Sequence, residues 1–258
     1  MIVSRQNQKV KDIRRLRRCK GDQAILEGPH LVGEALRAEL TLDTVLATEN
    51  FLASQEGRDL ESDLPIPVTL VAPHLIDYLS DTDSPRGVMA VATLPRGGLE
   101  SIPVTAHGHY LFVDGLQDPG NLGALIRVAE AFSVAAVLLA PGSAHPNHPR
   151  TLRSSAGSAL RVPIGVGVDA GALATHLDPI QPLWVGLTPR GGGTLADLPA
   201  DRCLVLAVGA EGPGLSGAVL ARIQRRLTIP LGGRVESLNS TVAAAIALHD
   251  LDVRRSAV

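Results

Sequence analysis

Apolar residues fall in short blocks along the chain, and the period inside each block separates helix from strand. Residues 5–18 carry apolar positions at helical spacing. "QAILEG" (23–28) is strand-like, and "PHLVGEALRAE" (29–39) opens on a proline suited to a first helical turn. "LDTVLAT" (42–48), "IPVTLV" (66–71) and "GVMAVATL" (87–94) are short and rich in β-formers. These blocks predict a small α/β domain over residues 1–93. Periodicity lapses in "PRGGLESIPVTAHGH" (95–109), where Pro, Gly and Ser cluster, so a linker is expected over 94–107.

Beyond the lapse the blocks become longer and more uniformly apolar. "YLFVDGL" (110–116), "VAAVLLA" (134–140), "PLWVGLT" (182–188), "CLVLAVG" (203–209) and "RLTIPL" (226–231) read as strands. Helices are expected from about 121 to 132 and from about 237 to 253. Near-continuous apolar strands alternating with helices predict a parallel sheet covered on both faces. The second domain is assigned to residues 108–258.

Composition sharpens this picture in two ways. Aromatic residues make up 2% of a chain that is 45% hydrophobic, so Ala, Val, Leu and Ile must build the core. That favours α/β layers over a sandwich and disfavours a base-stacking RNA module. The formal net charge is only -2, but residues 4–20 hold eight Lys or Arg against the single acid Asp12. A local basic arm suits phosphate contact or a solvated helix face. Cys19 and Cys203 lack metal-ligand or disulfide spacing. No apolar run has the length of a membrane span or the pattern of a signal peptide, so a cytoplasmic protein is expected.

Chemistry is expected where polar loops follow strands, because ligands of open α/β sheets bind beyond the strands' carboxyl ends. Three such loops stand out: "GLQDPGNLGALIR" (115–127), "VGAEGPGLS" (208–216) and "IPLGGRVESLNSTVAAA" (229–245). The first has glycines at 115, 120 and 123, which is not the dinucleotide-binding G-x-G-x-x-G. The ribose-binding acid about twenty residues on is also missing. Asn121 could cap the helix, but Arg127 on an otherwise apolar helix needs a phosphate, a carboxylate or solvent. Glu211 sits among glycines, and Ser237 or Asn239 could cap the last helix.

In this order and near these spacings, "PGNLGALIRVA", "GAEGPGL" and "IPLGGRVESLNSTVAAAI" closely resemble the three motifs of the SpoU (TrmH-like) RNA ribose 2'-O-methyltransferases of the SPOUT superfamily. "LRSSAGSALRVPI" (152–164) resembles the stretch between the first and second motifs. The first part resembles the small substrate-binding domain, of the ribosomal protein L30e type, that often precedes them. The resemblance implies an α/β fold: a C-terminal parallel-sheet SPOUT domain with a trefoil knot, preceded by a small α/β L30e-like domain. It also implies S-adenosylmethionine as cofactor, a homodimer, and RNA, most plausibly ribosomal, as substrate. Carried over by position, Asn121, Arg127, Glu211, Ser237 and Asn239 are the catalytic residues. Gly209, Ile229 and Leu238, with Leu187 and Thr188, contact the cofactor. Arg5, Lys9, Lys11, Arg14, Arg15, Arg17 and Arg18 of the basic arm would then neutralise RNA phosphates.

The resemblance implies that Arg127 activates the ribose hydroxyl, but an arginine normally keeps its proton, so a charge-stabilising role is expected rather than that of a free base. The family commonly reads "SLNVS" where this chain reads "SLNST" (237–241), which leaves Ser240 in an apolar position. A tRNA substrate, or an RNA-binding or ribosome-assembly protein without catalysis, are the alternative readings.

Overall fold

The structure, a computed structural model, describes residues 1–17, 21–94, 96–106, 108–199 and 202–256. Its elements run α1 (Gln8–Leu16), β1 (Gln23–Glu27), α2 (Gly28–Arg37), β2 (Leu42–Ala47), α3 (Glu49–Leu52), α4 (Gln55–Asp63), β3 (Val68–Leu70), α5 (Pro73–Leu79) and β4 (Val88–Thr93). There follow β5 (Tyr110–Asp114), α6 (Pro119–Ala131), β6 (Ala136–Leu139), α7 (Pro149–Ser154), β7 (Ile164–Val166), α8 (Ala170–His176), β8 (Leu183–Leu187), β9 (Leu204–Gly209), α9 (Gly217–Leu220), β10 (Arg225–Leu227) and α10 (Ser240–Ser256). Two compact units result: residues 1–95 with 145–161, and residues 96–144 with 162–258.

The first unit is built on a four-stranded sheet in the order β1-β4-β2-β3. β4 runs antiparallel to β1 and β2, and β3 joins β2 in parallel. Val10 and Ile13 turn inward from α1 and pack with Ile25, Leu46, Leu75, Ile76 and Met89. The same helix ties its basic side chains to the unit. Arg14 donates to the Tyr78 carbonyl at 2.9 Å, Arg17 pairs with Asp81, and Lys9 donates to Thr69 Oγ1 at 3.3 Å. Arg5 lies 4.5 Å from the centre of the Tyr78 ring. Arg15 lies 3.6 Å from Asp12 and is well exposed, and Lys11 is half-buried. Arg18 lies outside the described residues.

Residues 145–161, expected in the second domain, pack with the first unit. Polar side chains explain the attachment. The amide of buried Asn147 donates to the carbonyls of Gly21 and Leu94, both at 3.1 Å, at the end of the β1–β4 pair. Arg153 reaches Glu27 at 3.3 Å and Asp81 at 3.4 Å, and Arg161 pairs with Glu34.

The segment expected as a linker over 94–107 is also packed rather than free. Ile102 is 3% exposed and belongs to the core of the second unit, and the Tyr110 hydroxyl donates to the Pro103 carbonyl at 2.7 Å. Pro and Gly ended the periodicity there without removing the apolar anchor.

The second unit holds a six-stranded sheet, β10-β8-β9-β5-β6-β7, in which every neighbouring pair is parallel. Its central strands are buried along their length, as their uniform apolarity requires. The strand order reverses at the β5–β9 junction, the switch point at which open α/β sheets form a crevice beyond the strands' carboxyl ends. No helix among the described residues is long and apolar enough to cross a membrane.

Candidate active site

The β5–β9 crevice brings the first two polar loops together. β5 ends in Asp114, an acid on an otherwise apolar strand, which is 9% exposed. Its Oδ2 accepts from the Ser216 amide at 2.6 Å, tying the loop after β9 to the end of β5. Within that loop Ala210 and Gly214 exchange backbone hydrogen bonds of 3.1 and 3.0 Å, folding residues 211–213 into a tight turn with Glu211 upon it. Gly209 makes the fold-back possible, because a Cβ there would lie 2.2 Å from the Gly214 carbonyl carbon.

The expected cap on α6 is corrected. Asp118 is the N-cap, accepting from the Asn121 amide at 2.8 Å, and Pro119 takes the first helical position. The geometry follows from sequence spacing, since an N-cap side chain reaches amides two or three residues ahead. Asn121 is thereby freed from capping. Its Nδ2 donates to Glu211 Oε1 at 2.5 Å. Asn239 completes the cluster, with Nδ2 3.3 Å from both Asn121 Oδ1 and Glu211 Oε1. Its other amide atom, Oδ1, accepts from the Thr241 and Val242 amides at 2.9 and 3.4 Å, capping α10. Thr241 Oγ1 donates to the Asn121 carbonyl at 3.2 Å, so the start of α10 is stitched to the start of α6.

A cavity of about 510 Å³ adjoins this cluster. Leu187, Thr188, Gly209, Ile229 and Leu238 all line it, as do Glu211, Ser237 and Asn239. Four strand ends or loops contribute, which explains why residues so far apart in sequence converge. Arg127 stands apart. It is exposed on α6 and makes no hydrogen bond or ion pair among the described residues.

Sequence reasoning missed Asp114 and Ser216, whereas it had marked Ser240 as a polar residue in an apolar position. Asp114 carried a signal, a lone acid at the end of a buried strand. Ser240 lines the cavity, and its Oγ is buried without a hydrogen-bond partner.

Comparison with known proteins bears on this geometry. A family model described as the SpoU rRNA Methylase family matches residues 108–249, more than half of the chain. The chain belongs to this SpoU family. A second model, the MRM3-like substrate binding domain, matches residues 7–90. The chain is 34% identical to the 23S rRNA (guanosine(2553)-2'-O)-methyltransferase RlmP of Bacillus subtilis, over 97% of this chain and 98% of that one. Among solved structures, an RNA 2'-O ribose methyltransferase aligns with a TM-score of 0.84 at 28% identity, covering 100% of this chain and 99% of that one. The SpoU methyltransferase AviRb from Streptomyces viridochromogenes, solved with AdoMet, shares the fold with a TM-score of 0.89 at 24% identity, over 97% and 99% of the two chains. The Asn121–Glu211–Asn239 cluster therefore lies in a SpoU fold, on the three motifs by which the sequence resembled that family.

Proposed function

We propose that this chain is an S-adenosylmethionine-dependent RNA ribose 2'-O-methyltransferase acting on ribosomal RNA of the 23S type. The observation that carries the reading is the junction of Asn121, Glu211 and Asn239, three polar residues from three loops, beside one cavity. The Bacillus relative, matched along nearly its whole length, supports the choice of RNA.

The cavity suits the cofactor. Its volume lies within the range of small-molecule sites. Leu187, Ile229, Leu231 and Leu238 offer apolar walls to a purine, and Thr188, Ser237 and Glu211 offer polar groups. When bound there, S-adenosylmethionine supplies the methyl group.

The remaining chemistry falls to the chain's own residues. A ribose 2'-hydroxyl is a weak nucleophile at neutral pH and gives up its proton, to the adjacent phosphate or water, as it attacks. Arg127 stabilises the charge developing on that oxygen and holds the neighbouring phosphate. Glu211 accepts from two amides at once and keeps Asn121 and Asn239 in one orientation. Ser237, on the cavity wall, orients the ribose.

The working form is a cytoplasmic homodimer. Support comes from α10, where Val242, Ile246 and Val253 are 47%, 38% and 52% exposed along one helical face. α10 packs beside α6, which carries Arg127, so a second copy seated there has the free guanidinium within its neighbourhood. The family's trefoil knot belongs to the same reading. Arg254, near the end of α10, donates to the Leu195 and Leu198 carbonyls, tying that helix end to the segment between β8 and β9.

Replacing Arg127 by Ala tests the assignment. Methyl transfer to unmodified ribosomal RNA is expected to vanish while calorimetric cofactor binding persists. Near-normal turnover would overturn it.

A further inference from the structure

The first unit contains a cavity of its own, about 420 Å³, between α3, α5 and the loop leading into β4. Its inner lining is mostly apolar: Phe51 and Ile76 are 7% and 2% exposed, beside Thr48 at 5%, whose hydroxyl already accepts from the Phe51 amide at 3.2 Å. Asn50 and Asp77 also line it, and both are exposed. Neither side chain has a partner among the described residues, so one amide and one carboxylate have unused hydrogen-bonding capacity. Arg86 closes another side, with its guanidinium donating to Glu56 at 3.0 Å. Gly87 lets the loop lie close to the lining. Its φ is +78°, and a Cβ there would sit 2.8 Å from Thr48 Oγ1 and 3.0 Å from Phe51 Cβ.

We infer that this cavity receives one unstacked guanine base of the RNA substrate. The chemistry narrows the occupant step by step. With Arg86 already matched to Glu56, Asp77 leaves the cavity net negative, which turns away a phosphate and favours an uncharged group rich in donors. An apolar lining with polar groups at its edge is the arrangement that accepts a flat heterocycle. Sequence-specific RNA recognition works on such splayed-out bases, stacked on aromatic or Arg planes and bonded along their edges. Guanine presents two adjacent N–H donors to the two oxygens of Asp77 and a carbonyl to the amide of Asn50. Adenine places an acceptor where one of those donors is needed, and uracil has a single N–H on that edge. In a chain almost without aromatics, the Arg86 plane takes the stacking role.

The inference rests on the reading that this chain acts on RNA, and the test separates the two. Guanosine, adenosine, cytidine and uridine are each titrated into isotope-labelled full-length protein, with backbone amide signals followed by nuclear magnetic resonance. Guanosine should shift the signals of Asn50, Asp77 and Gly87, with a preference of at least about fivefold over the other three, the lower end of discrimination by one bidentate base contact. Asp77→Asn, an isosteric change at an exposed site, should remove that preference with the spectrum otherwise intact. Asn50→Ala should weaken guanosine binding. Equal responses to all four nucleosides overturn the inference, as do shifts confined to the cavity around Gly209 and Leu238, no shifts at all, or an unchanged Asp77→Asn variant. The same preparation is assayed for methyl transfer to ribosomal RNA. Transfer without guanosine binding sinks only this inference, and guanosine binding without transfer sinks only the enzymatic reading.

Discussion

Ser240 stands where the resemblance to the SpoU motif led us to expect an apolar residue, and its surroundings turn that difference into a measurable prediction. The Ser240 hydroxyl oxygen is buried and lacks a partner among the described residues. It is not needed as a cap, because Asn239 Oδ1 already accepts from the first amides of α10. An unsatisfied buried hydroxyl costs about 1–3 kcal/mol. Ser240→Ala removes the orphan and substitutes a better helix former, so the cofactor-free protein should gain about that amount. For a chain of this size each kcal/mol moves the midpoint by about 2–4 °C, so the rise should be about 2–12 °C. Thermal unfolding followed by circular dichroism reads it, with urea unfolding as an independent measure. Methyl transfer should survive, since Ser237 and Asn239 are untouched. A variant less stable than the parent would refute the reasoning, because it would mean that the hydroxyl is satisfied in solution.

Three further predictions concern other parts of the molecule. Gly209→Ala forces a methyl against the Gly214 backbone. It should destabilise the protein by more than about 2 kcal/mol, in the range of overpacked cores, and weaken cofactor binding measured by calorimetry. Arg153→Ala strips Glu27, whose side chain is 6% exposed, of its cation. The expected loss is about 2–3 kcal/mol in urea unfolding, below that of fully buried pairs because Arg153 is itself part-exposed, and adding Glu27→Gln should recover much of it. Burial pushes the His109 imidazole down to about 4, with Arg255 lowering it further and Asp252 opposing. The unfolded chain takes up this proton near pH 6.5 and the folded one does not. Stability should therefore fall as pH drops from 6.5 towards 4, by up to about 3 kcal/mol from this group. His109→Gln should flatten that part of the pH–stability profile, and an unchanged slope would exclude His109 as its source.

The sequence was most informative where one physical rule acts locally. Strands buried on both faces must be apolar throughout, and β5, β6 and β9 were legible for that reason. The site residues were legible through the resemblance of three motifs, whereas their individual roles were not. Asn121 read as a helix cap from its own neighbourhood, yet Asp118 takes that duty and Asn121 turns to Glu211, ninety residues away. The short helices α3, α4 and α5 escaped notice because none carries a long apolar period: side-chain caps hold α3 and α4, and buried Leu75, Ile76 and Leu79 anchor α5.

By itself, then, the sequence determined the alternation of strands and helices, the parallel class of the second sheet and the family. Each of these follows from local composition, period or motif. Only the tertiary structure decided that residues 145–161 join the first unit, because that depends on Asn147 and Arg153 finding carbonyls and acids far off in the chain. Only it decided that β9 lies beside β5, which turns three separate loops into one cluster. Strand order is settled by which buried faces and hydrogen-bond edges fit together, and no single stretch of residues carries that information.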